Sequence, residues 1–183
     1  MGETPPADPT GPFEAQRAMH ELLSQETRHH ILQTILGHPA HLASLAELGY
    51  YSQKSESAIL DQLEALSGHD IVAAYTYEGS DGTRDQPSKF YGLTERGVAV
   101  LDEFKYLRGV PVLRAVHENT VKPKRIQRHE DAPRPTLPDT VAEALDIDEA
   151  DVESGELDEP RQSQIFADRA TDDEGGAFDE LFE

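Results

Sequence analysis

A nine-residue segment, residues 89–97, constrains the fold of this chain more than any other part of the sequence. It reads Lys-Phe-Tyr-Gly-Leu-Thr-Glu-Arg-Gly, and its first five residues have the aromatic and apolar character of a β-strand. Thr94 followed by Glu95 has the form of a helix N-terminus, because a threonine hydroxyl can accept a hydrogen bond from the first helical turn. The segment therefore predicts a strand that runs directly into a helix, which we expect to continue to about Leu107.

Two amphipathic helices are predicted near the N-terminus. Apolar residues recur at steps of three and four over residues 13–23 and again over residues 26–36. Gly37 and Pro39 follow the second pattern and are typical helix-ending residues. We therefore expect two helices that are either continuous or kinked near Ser24.

A helix-turn-helix pattern follows these two helices. Ser44 and Glu47 have the spacing of a capping box, which predicts a short helix that ends at Gly49. Ser52 can cap a longer helix, predicted over residues 53–66. A short helix, a tight glycine turn and a longer helix are together typical of the helix-turn-helix motif.

Two strands and a long turn complete the pattern. Residues 71–77 and 88–93 are rich in β-branched and aromatic residues, and residues 78–87 between them consist largely of turn formers. The predicted order is α-α-α-α-β-β-α. The predicted fold class is α+β, mainly α: a winged helix-turn-helix with additional N- and C-terminal helices and a disordered acidic tail.

Charge is distributed unevenly along the chain, whose net charge is −20. Residues 136–183 hold 17 acidic and 2 basic residues and so contribute −15. Such a composition buries too little apolar surface to offset the entropy of ordering. We therefore expect a disordered N-terminus (1–11) and an acidic, largely disordered tail (136–183) on either side of the predicted winged helix-turn-helix DNA-binding domain (12–108) and a basic proline-containing linker (109–135). Within the linker, residues 111–116 either continue as helix or lie extended along the core, and within the tail residues 140–147 have room for two helical turns.

Several function classes find no support in the sequence. The chain has no cysteine, which excludes disulfides, thiolate metal sites and cysteine nucleophiles. It has no phosphate-binding loop and no nucleophile elbow, so we expect no enzyme activity and no cofactor. No run of 18 apolar residues and no signal-peptide pattern occur, and we expect a cytoplasmic protein.

Histidine pairs are the one feature that suggests a metal site. His29 and His30 are adjacent, and His38 is three residues from His41. Adjacent helical residues point about 100° apart, and no cysteine or paired carboxylate completes a set of ligands. We therefore expect no metal site, and a modest pH response of His29 and His30 stays open as an alternative.

Residues 27–104 resemble the winged-helix transcription regulators of the ArsR/MarR/PadR type, in particular those of haloarchaea. The abundance of acidic residues and of arginine over lysine is also similar to proteins of salt-loving archaea. The resemblance rests on the order and spacing of Thr27-Arg28, Ile31-Leu32, Ile35-Leu36, Ser44-Leu-Ala-Glu-Leu48, Ser57-Ala-Ile59, Leu63-Glu-Ala-Leu66 and Phe90-Tyr-Gly-Leu-Thr-Glu-Arg-Gly97. It implies a homodimer that places one recognition helix per subunit in successive major grooves and touches the backbone with each wing.

The resemblance also assigns candidate DNA-binding residues. The wing, residues 79–87, would contact the backbone through Arg84, with Lys89 behind it. Many relatives carry Arg or Lys where this chain has Asp61. A carboxylate can still accept a hydrogen bond from the cytosine amino group. The base-reading positions on the helix and at its entry are Gln53, Lys54, Ser55, Glu56, Ser57, Asp61 and Gln62.

The first and last predicted helices offer more apolar positions than one small domain needs. Across a two-fold axis they would form a dimer interface, and within one subunit they would pack on a common core. The candidate dimerisation residues are Phe13, Met19, Leu22, Leu23, Leu101 and Phe104.

Other functions remain open for this sequence. The acidic tail is a solubilising segment, a phosphate mimic that folds back on the DNA-binding surface, or a docking segment for another protein. A winged helix can also serve as a protein-interaction adaptor or as an acidic DNA mimic. The predicted function is nevertheless a sequence-specific, DNA-binding transcription regulator.

Overall fold

A computed structural model describes residues 11–79 and 86–154 of the chain. Within this part the structure is mainly helical with one small antiparallel sheet, which confirms the predicted winged helix-turn-helix fold. No helix in these ranges is long and apolar enough to cross a membrane. The helices and strands are α1 (Pro12–Ser24), α2 (Glu26–Gly37), β1 (Ala43–Ser44), α3 (Leu45–Ser52), α4 (Glu56–Gly68), β2 (Val72–Thr76), β3 (Lys89–Leu93), α5 (Glu95–Glu103), a 3-10 turn (Tyr106–Gly109), α6 (Val110–Asn119), α7 (Lys124–Asp131), α8 (Asp139–Leu145) and α9 (Glu149–Glu153).

The sheet is built around β3, which lies between β1 and β2. Both neighbours run antiparallel to it, with Ala43 opposite Tyr91 and Tyr75 opposite Phe90. Phe90 is completely buried, because the inner face of the sheet covers the helical core. The two-residue β1 therefore ties the start of the helix-turn-helix directly to the wing.

The junction between β3 and α5 has the form that the sequence predicts. Thr94 Oγ1 accepts a 2.9 Å hydrogen bond from the backbone N–H of Gly97, which caps the helix. A Cβ atom at Gly97 would lie 2.0 Å from the carbonyl oxygen of Ile71, so only glycine permits this approach. The helix is shorter than expected and ends at Glu103, because Lys105 adopts a left-handed backbone conformation with φ of 66°.

The helix-turn-helix differs from its prediction at the turn. The capping box is present, with Ser44 N donating to Glu47 Oε2 over 2.6 Å, but α3 continues past Gly49 to Ser52. Gln53 then takes a left-handed conformation, and Ser55 caps α4 instead of Ser52. Gln53 and Lys54 consequently lie in the turn, and the recognition helix begins at Glu56.

The core of the domain is formed by the inner faces of α2, α4, α5 and the sheet. These faces meet because their apolar residues recur with the period of each element. The fully buried large side chains include Ile31, Leu32, Ile35, Leu36, Ile59, Leu66, Phe90, Leu93 and Leu101.

Residues 109–154 are largely helical and packed, where the sequence predicts a linker and the beginning of a tail. The predicted disorder of residues 1–10 and 155–183 lies outside the described residues. α6 lies along α2 so closely that a Cβ at Gly37 would meet the carbonyl oxygen of Leu113 at 2.7 Å. α7 contacts α3, and α8 contacts α5. A few well-spaced apolar residues make these contacts and are buried: Val110, Ile126, Ala132, Leu137, Val141, Leu145 and Ile147.

Candidate nucleic-acid interface

The outer face of α4 is open to solvent, whereas its inner face is buried. Ile59, Leu63 and Leu66 anchor the helix in the core. All the predicted base-reading residues lie on the accessible side or in the turn before it. Gln53, Lys54, Ser55, Glu56, Ser57 and Asp61 are exposed, and Gln62 is half-buried. The structure thus brings these residues together on one surface.

α4 itself carries no cation, and its first residue is paired with a different helix. Glu56, Asp61 and Glu64 are acidic, and residues 56–68 contain no Lys or Arg. Arg125 of α7 lies beside the start of α4, with Nη2 3.1 Å from Glu56 Oε1. Both side chains are largely solvent-exposed, at 68% for Arg125 and 49% for Glu56. The sequence marks residues 122–134 as basic and as a possible source of DNA affinity, but no local pattern predicts that they lie beside α4.

A groove of about 690 Å³ separates α7 from the base of the wing. Ser44, Leu45 and Ala46 form its floor, at the beginning of the helix-turn-helix. Among the described residues that line the groove, the permanently charged ones are one carboxylate, Glu56, and three cations, Lys89, Arg125 and Arg128. The local charge is therefore positive, although the whole chain carries −20.

Of the two predicted wing contacts, the structure describes Lys89 but not Arg84. Lys89 lies on β3 at the foot of the wing, with its Nζ 5.7 Å from the centre of the Tyr91 ring. Arg84 lies outside the described residues, as does most of the wing predicted over residues 79–87. Only Lys89 can therefore be placed next to the groove.

Glu47 lies at the centre of a buried hydrogen-bond network that fixes the segment after α7. Its Oε1 accepts from Arg134 Nη2 at 2.7 Å and from His38 Nε2 at 3.1 Å. Burial alone would raise the pKa of Glu47, but the His38 hydrogen bond, the Arg134 charge and the Ser44 amide outweigh it and lower the pKa to about 2. Arg134 also donates to the carbonyl oxygen of Leu42.

Glu130 forms a second set of contacts on α7. It accepts from the Tyr51 hydroxyl at 2.7 Å and lies 2.9 Å from Lys122 Nζ. Burial would raise the pKa of Glu130, but these two hydrogen bonds lower it below the usual value. Its Oε1 is also 2.8 Å from His117 Nε2, although the two atoms are not aligned for a hydrogen bond. Burial lowers the pKa of His117.

Within the described residues, His38, His117 and Glu130 form a group in which one ligand atom from each lies within 4.8 Å of the others. His38 Nδ1 accepts a hydrogen bond from the backbone N–H of Ala40. With Nδ1 accepting from Ala40 and Nε2 donating to Glu47, both ring nitrogens of His38 are already used in hydrogen bonds. The arrangement fits an ion-pair network better than a metal centre.

The histidine pairs noted in the sequence have other partners. His29 Nδ1 lies 3.1 Å from the Tyr106 hydroxyl, and His41 Nδ1 lies 3.1 Å from the carbonyl oxygen of Ile35. His129 of α7 places its Nδ1 2.8 Å from the hydroxyl of Ser44. Ser44 therefore belongs to β1, caps α3 and contacts α7 at once.

Most candidate dimerisation residues lie within the core of the single chain. Leu22, Leu23 and Leu101 are buried. Met19 and Phe104 are half-buried against the same core. Phe13 is the exception, with 83% of its surface exposed. Five of the six residues thus pack on the core of the single chain, and their role in a dimer stays a prediction.

No protein-family model and no curated protein matches the chain. A solved structure does, described as a protein with a GntR superfamily winged-helix-turn-helix domain from Halomicrobium mukohataei. The match has a TM-score of 0.63 at 26% identity and covers 79% of this chain and 97% of the other. Because 79% exceeds the share of residues 12–108, the similarity extends into the other helices. The chain is thus similar to a haloarchaeal winged-helix protein, and the finding does not support the ArsR/MarR/PadR type.

Proposed function

We propose that the chain is a sequence-specific, DNA-binding transcription regulator. The observation that carries this proposal is the combination of a solvent-exposed outer face on α4 with a cationic groove beside it, both within the described residues. A helix in this position of the motif enters the major groove, and nearby cations contact phosphates. The likeness to a solved winged helix-turn-helix protein supports the same function.

The side chains on α4 suit particular base edges. Gln62 can make two hydrogen bonds to adenine, and Ser57 can contact several bases. Glu56 and Asp61 can accept from the cytosine amino group. We therefore expect sites that contain cytosine and adenine opposite the N-terminal half of α4.

The finer features of the proposal are a homodimer and backbone contacts by residues 79–87. A two-fold dimer would place two α4 helices about one DNA turn apart and would read a palindromic site. Occupancy of such a site blocks or assists use of a promoter. The proposal includes no catalytic step and does not depend on the ArsR/MarR/PadR type.

High salt makes DNA binding compatible with an acidic chain. At molar ionic strength the Debye length falls to about 3 Å, so the repulsion between distant acidic residues and DNA is screened. The composition of the chain and the organism of its structural neighbour are consistent with such a cytoplasm. Contacts between the groove cations and adjacent phosphates act at shorter range than this repulsion, although they also weaken as salt rises.

The test is selection of genomic DNA fragments by the purified full-length chain in about 2 M KCl, where long-range repulsion is suppressed. We expect a common two-fold-symmetric sequence. The Lys54→Glu/Arg84→Glu variant should recover it poorly, whereas Arg17→Glu, which reverses an exposed charge on α1, should recover it normally. Recovery of nothing above background from folded protein would contradict the proposal.

A protein-interaction adaptor is the second candidate, and the acidic character of α4 favours it. In that case Glu56 and Asp61 would meet a basic partner instead of DNA. Glu56→Gln/Asp61→Asn would then abolish partner capture while Lys54→Glu left it intact. In a DNA-binding assay, by contrast, Lys54→Glu would lower the affinity, and Glu56→Gln/Asp61→Asn would change the preferred bases.

A further inference from the structure

The segment after the wing domain carries a helix that faces the DNA-reading surface. We propose that α7 is a second DNA-contacting element: Arg125 and Arg128 bind the phosphate backbone from one side of the groove and Lys89 binds it from the other. In this arrangement Arg125 leaves Glu56 for a phosphate, which releases the Glu56 carboxylate to a base. The inference rests on the proposed DNA-binding function and extends it to residues outside the winged domain.

α7 has one face packed against the domain and one face exposed to solvent. Ile126 is buried against α3, whereas Arg125 and Arg128 are exposed. Residues three apart lie on the same side of a helix, so both guanidinium groups project from one face. That face is the wall of the groove opposite the foot of the wing.

The position of α7 is fixed at several points along its length. Glu130 is held by Tyr51 and Lys122, and His129 contacts Ser44. Just beyond the helix, Arg134 is held by the buried carboxylate of Glu47. The backbone that carries the two arginines is therefore already fixed in the free protein. Binding DNA does not have to offset the entropy of ordering this segment.

The net positive charge of the groove lining favours binding of a polyanion. Three cations and one carboxylate line it among the described residues, in a chain whose net charge is strongly negative. A guanidinium can bind two phosphate oxygens at once. A continuous phosphate backbone that passes along the start of α4 would meet all three cations.

In the ion pair between Arg125 and Glu56, a DNA phosphate can replace Glu56 as the partner of Arg125. The two paired atoms are 3.1 Å apart, and both side chains are largely exposed. Exposed ion pairs contribute little to folding, so breaking this one leaves the fold intact. In the free protein Arg125 neutralises the acidic residue nearest to the DNA; in the complex the phosphate takes the place of Glu56 as its partner.

The experiment measures DNA affinity of the full-length chain against KCl concentration. The probe is the duplex enriched by genomic selection or, without an enriched sequence, a random-sequence duplex. The slope of log K against log salt is negative, and each lost phosphate contact lowers its magnitude by about 0.9. We expect that loss for Arg125→Ala and for Arg128→Ala, and about twice that loss for the double variant. Lys124→Ala, a cation of α7 that does not line the groove, is the matched control and should change the slope less.

A second arm separates phosphate binding from simple neutralisation of Glu56. Arg125→Ala is also measured in a Glu56→Gln background, where no carboxylate remains to be neutralised. We expect the same drop in slope there. Recovery of wild-type affinity and slope by the Glu56→Gln/Arg125→Ala variant would overturn the phosphate contact of Arg125.

The outcomes distinguish the inference from the function on which it rests. If the wild-type chain binds duplex DNA and the Arg125→Ala/Arg128→Ala variant binds with unchanged affinity and slope, the role of α7 is overturned and the function stands. If the folded wild-type chain binds no duplex, both are overturned. Circular dichroism and thermal unfolding of each variant verify that the fold is kept, which the exposure of both arginines leads us to expect.

Discussion

Arg134 donates a 2.7 Å hydrogen bond to the carboxylate of Glu47, across 87 residues of sequence. Glu47 is completely buried, and the Arg134 side chain is 8% exposed. The pair joins the end of α7 to the first helix of the helix-turn-helix. The position of the basic helix relative to α4 therefore depends on a buried charge pair.

Removal of Arg134 should strongly destabilise the fold. Arg134→Ala leaves the Glu47 carboxylate buried without its cation, and breaking a buried pair in this way costs about 3–5 kcal/mol. Urea unfolding at pH 7 measures the loss. Arg17→Ala breaks an exposed pair with Glu21 and serves as the control, with an expected change below about 1 kcal/mol. Equal effects of the two variants would contradict a structural role for the buried pair.

Stability should fall in acid because of Glu47. Its folded pKa of about 2 lies below the ordinary value of 4.5, so the carboxylate stabilises the fold above pH 4.5. That contribution, about 3 kcal/mol by linkage, is lost as the pH falls from 4.5 towards 2. Urea unfolding across this range should show a steeper loss for the wild type than for Glu47→Gln. Parallel profiles would show that Glu47 is not the responsible group.

Gly97→Ala should disrupt the junction between β3 and α5. The new methyl group would lie 2.0 Å from the Ile71 carbonyl oxygen, which is backbone and cannot rotate away. We expect a loss of about 3 kcal/mol or more in unfolding free energy. Gly68→Ala is the matched control, because a Cβ there meets nothing within 4 Å. It lies at the end of a helix and should be neutral or stabilise the protein by up to about 1 kcal/mol.

The helices beyond residue 109 should be required for stable folding. A fragment of residues 11–154 keeps the contacts of α6 with α2, of α7 with α3 and of α8 with α5. A fragment of residues 11–109 lacks α6, α7 and α8 and so exposes the surfaces of α2, α3 and α5 that they bury. Each fully buried aliphatic side chain that is lost contributes about 1.5 kcal/mol or more, so several together approach the whole stability of a domain. We expect the shorter fragment to unfold at a much lower urea concentration. Equal midpoints would mean that the winged domain folds independently.

The elements that the sequence predicts well are those with local causes. Thr94 caps α5 through an atom three residues away, and Ser44 and Glu47 cap α3 in the same way. Turn chemistry is harder, since both Ser52 and Ser55 can cap a helix. Gln53 adopts the left-handed conformation and ends α3 after Ser52, so Ser52 belongs to α3 and Ser55 is left to cap α4.

α7 is hidden from local reasoning because its stabilising contacts are distant in sequence. α7 has one buried apolar residue, Ile126, and its other anchors are polar contacts to residues about 80 positions earlier. A basic proline-bounded segment with a single apolar residue has the composition of a linker. For the same reason the neighbourhood of Arg125 and Glu56 could not be predicted, although the exposed positions on α4 could.

Ser44 has a consequence for how DNA would be accommodated. One residue joins the wing strand, the cap of α3 and α7, so the three share a common anchor. We expect them to move as one rigid body, with a fixed spacing between α4, the helix proposed to read bases, and the cations that flank it. The duplex must then adjust its own groove width and curvature to that spacing, and sequences that deform easily at the flanks will bind more tightly even where no side chain touches a base.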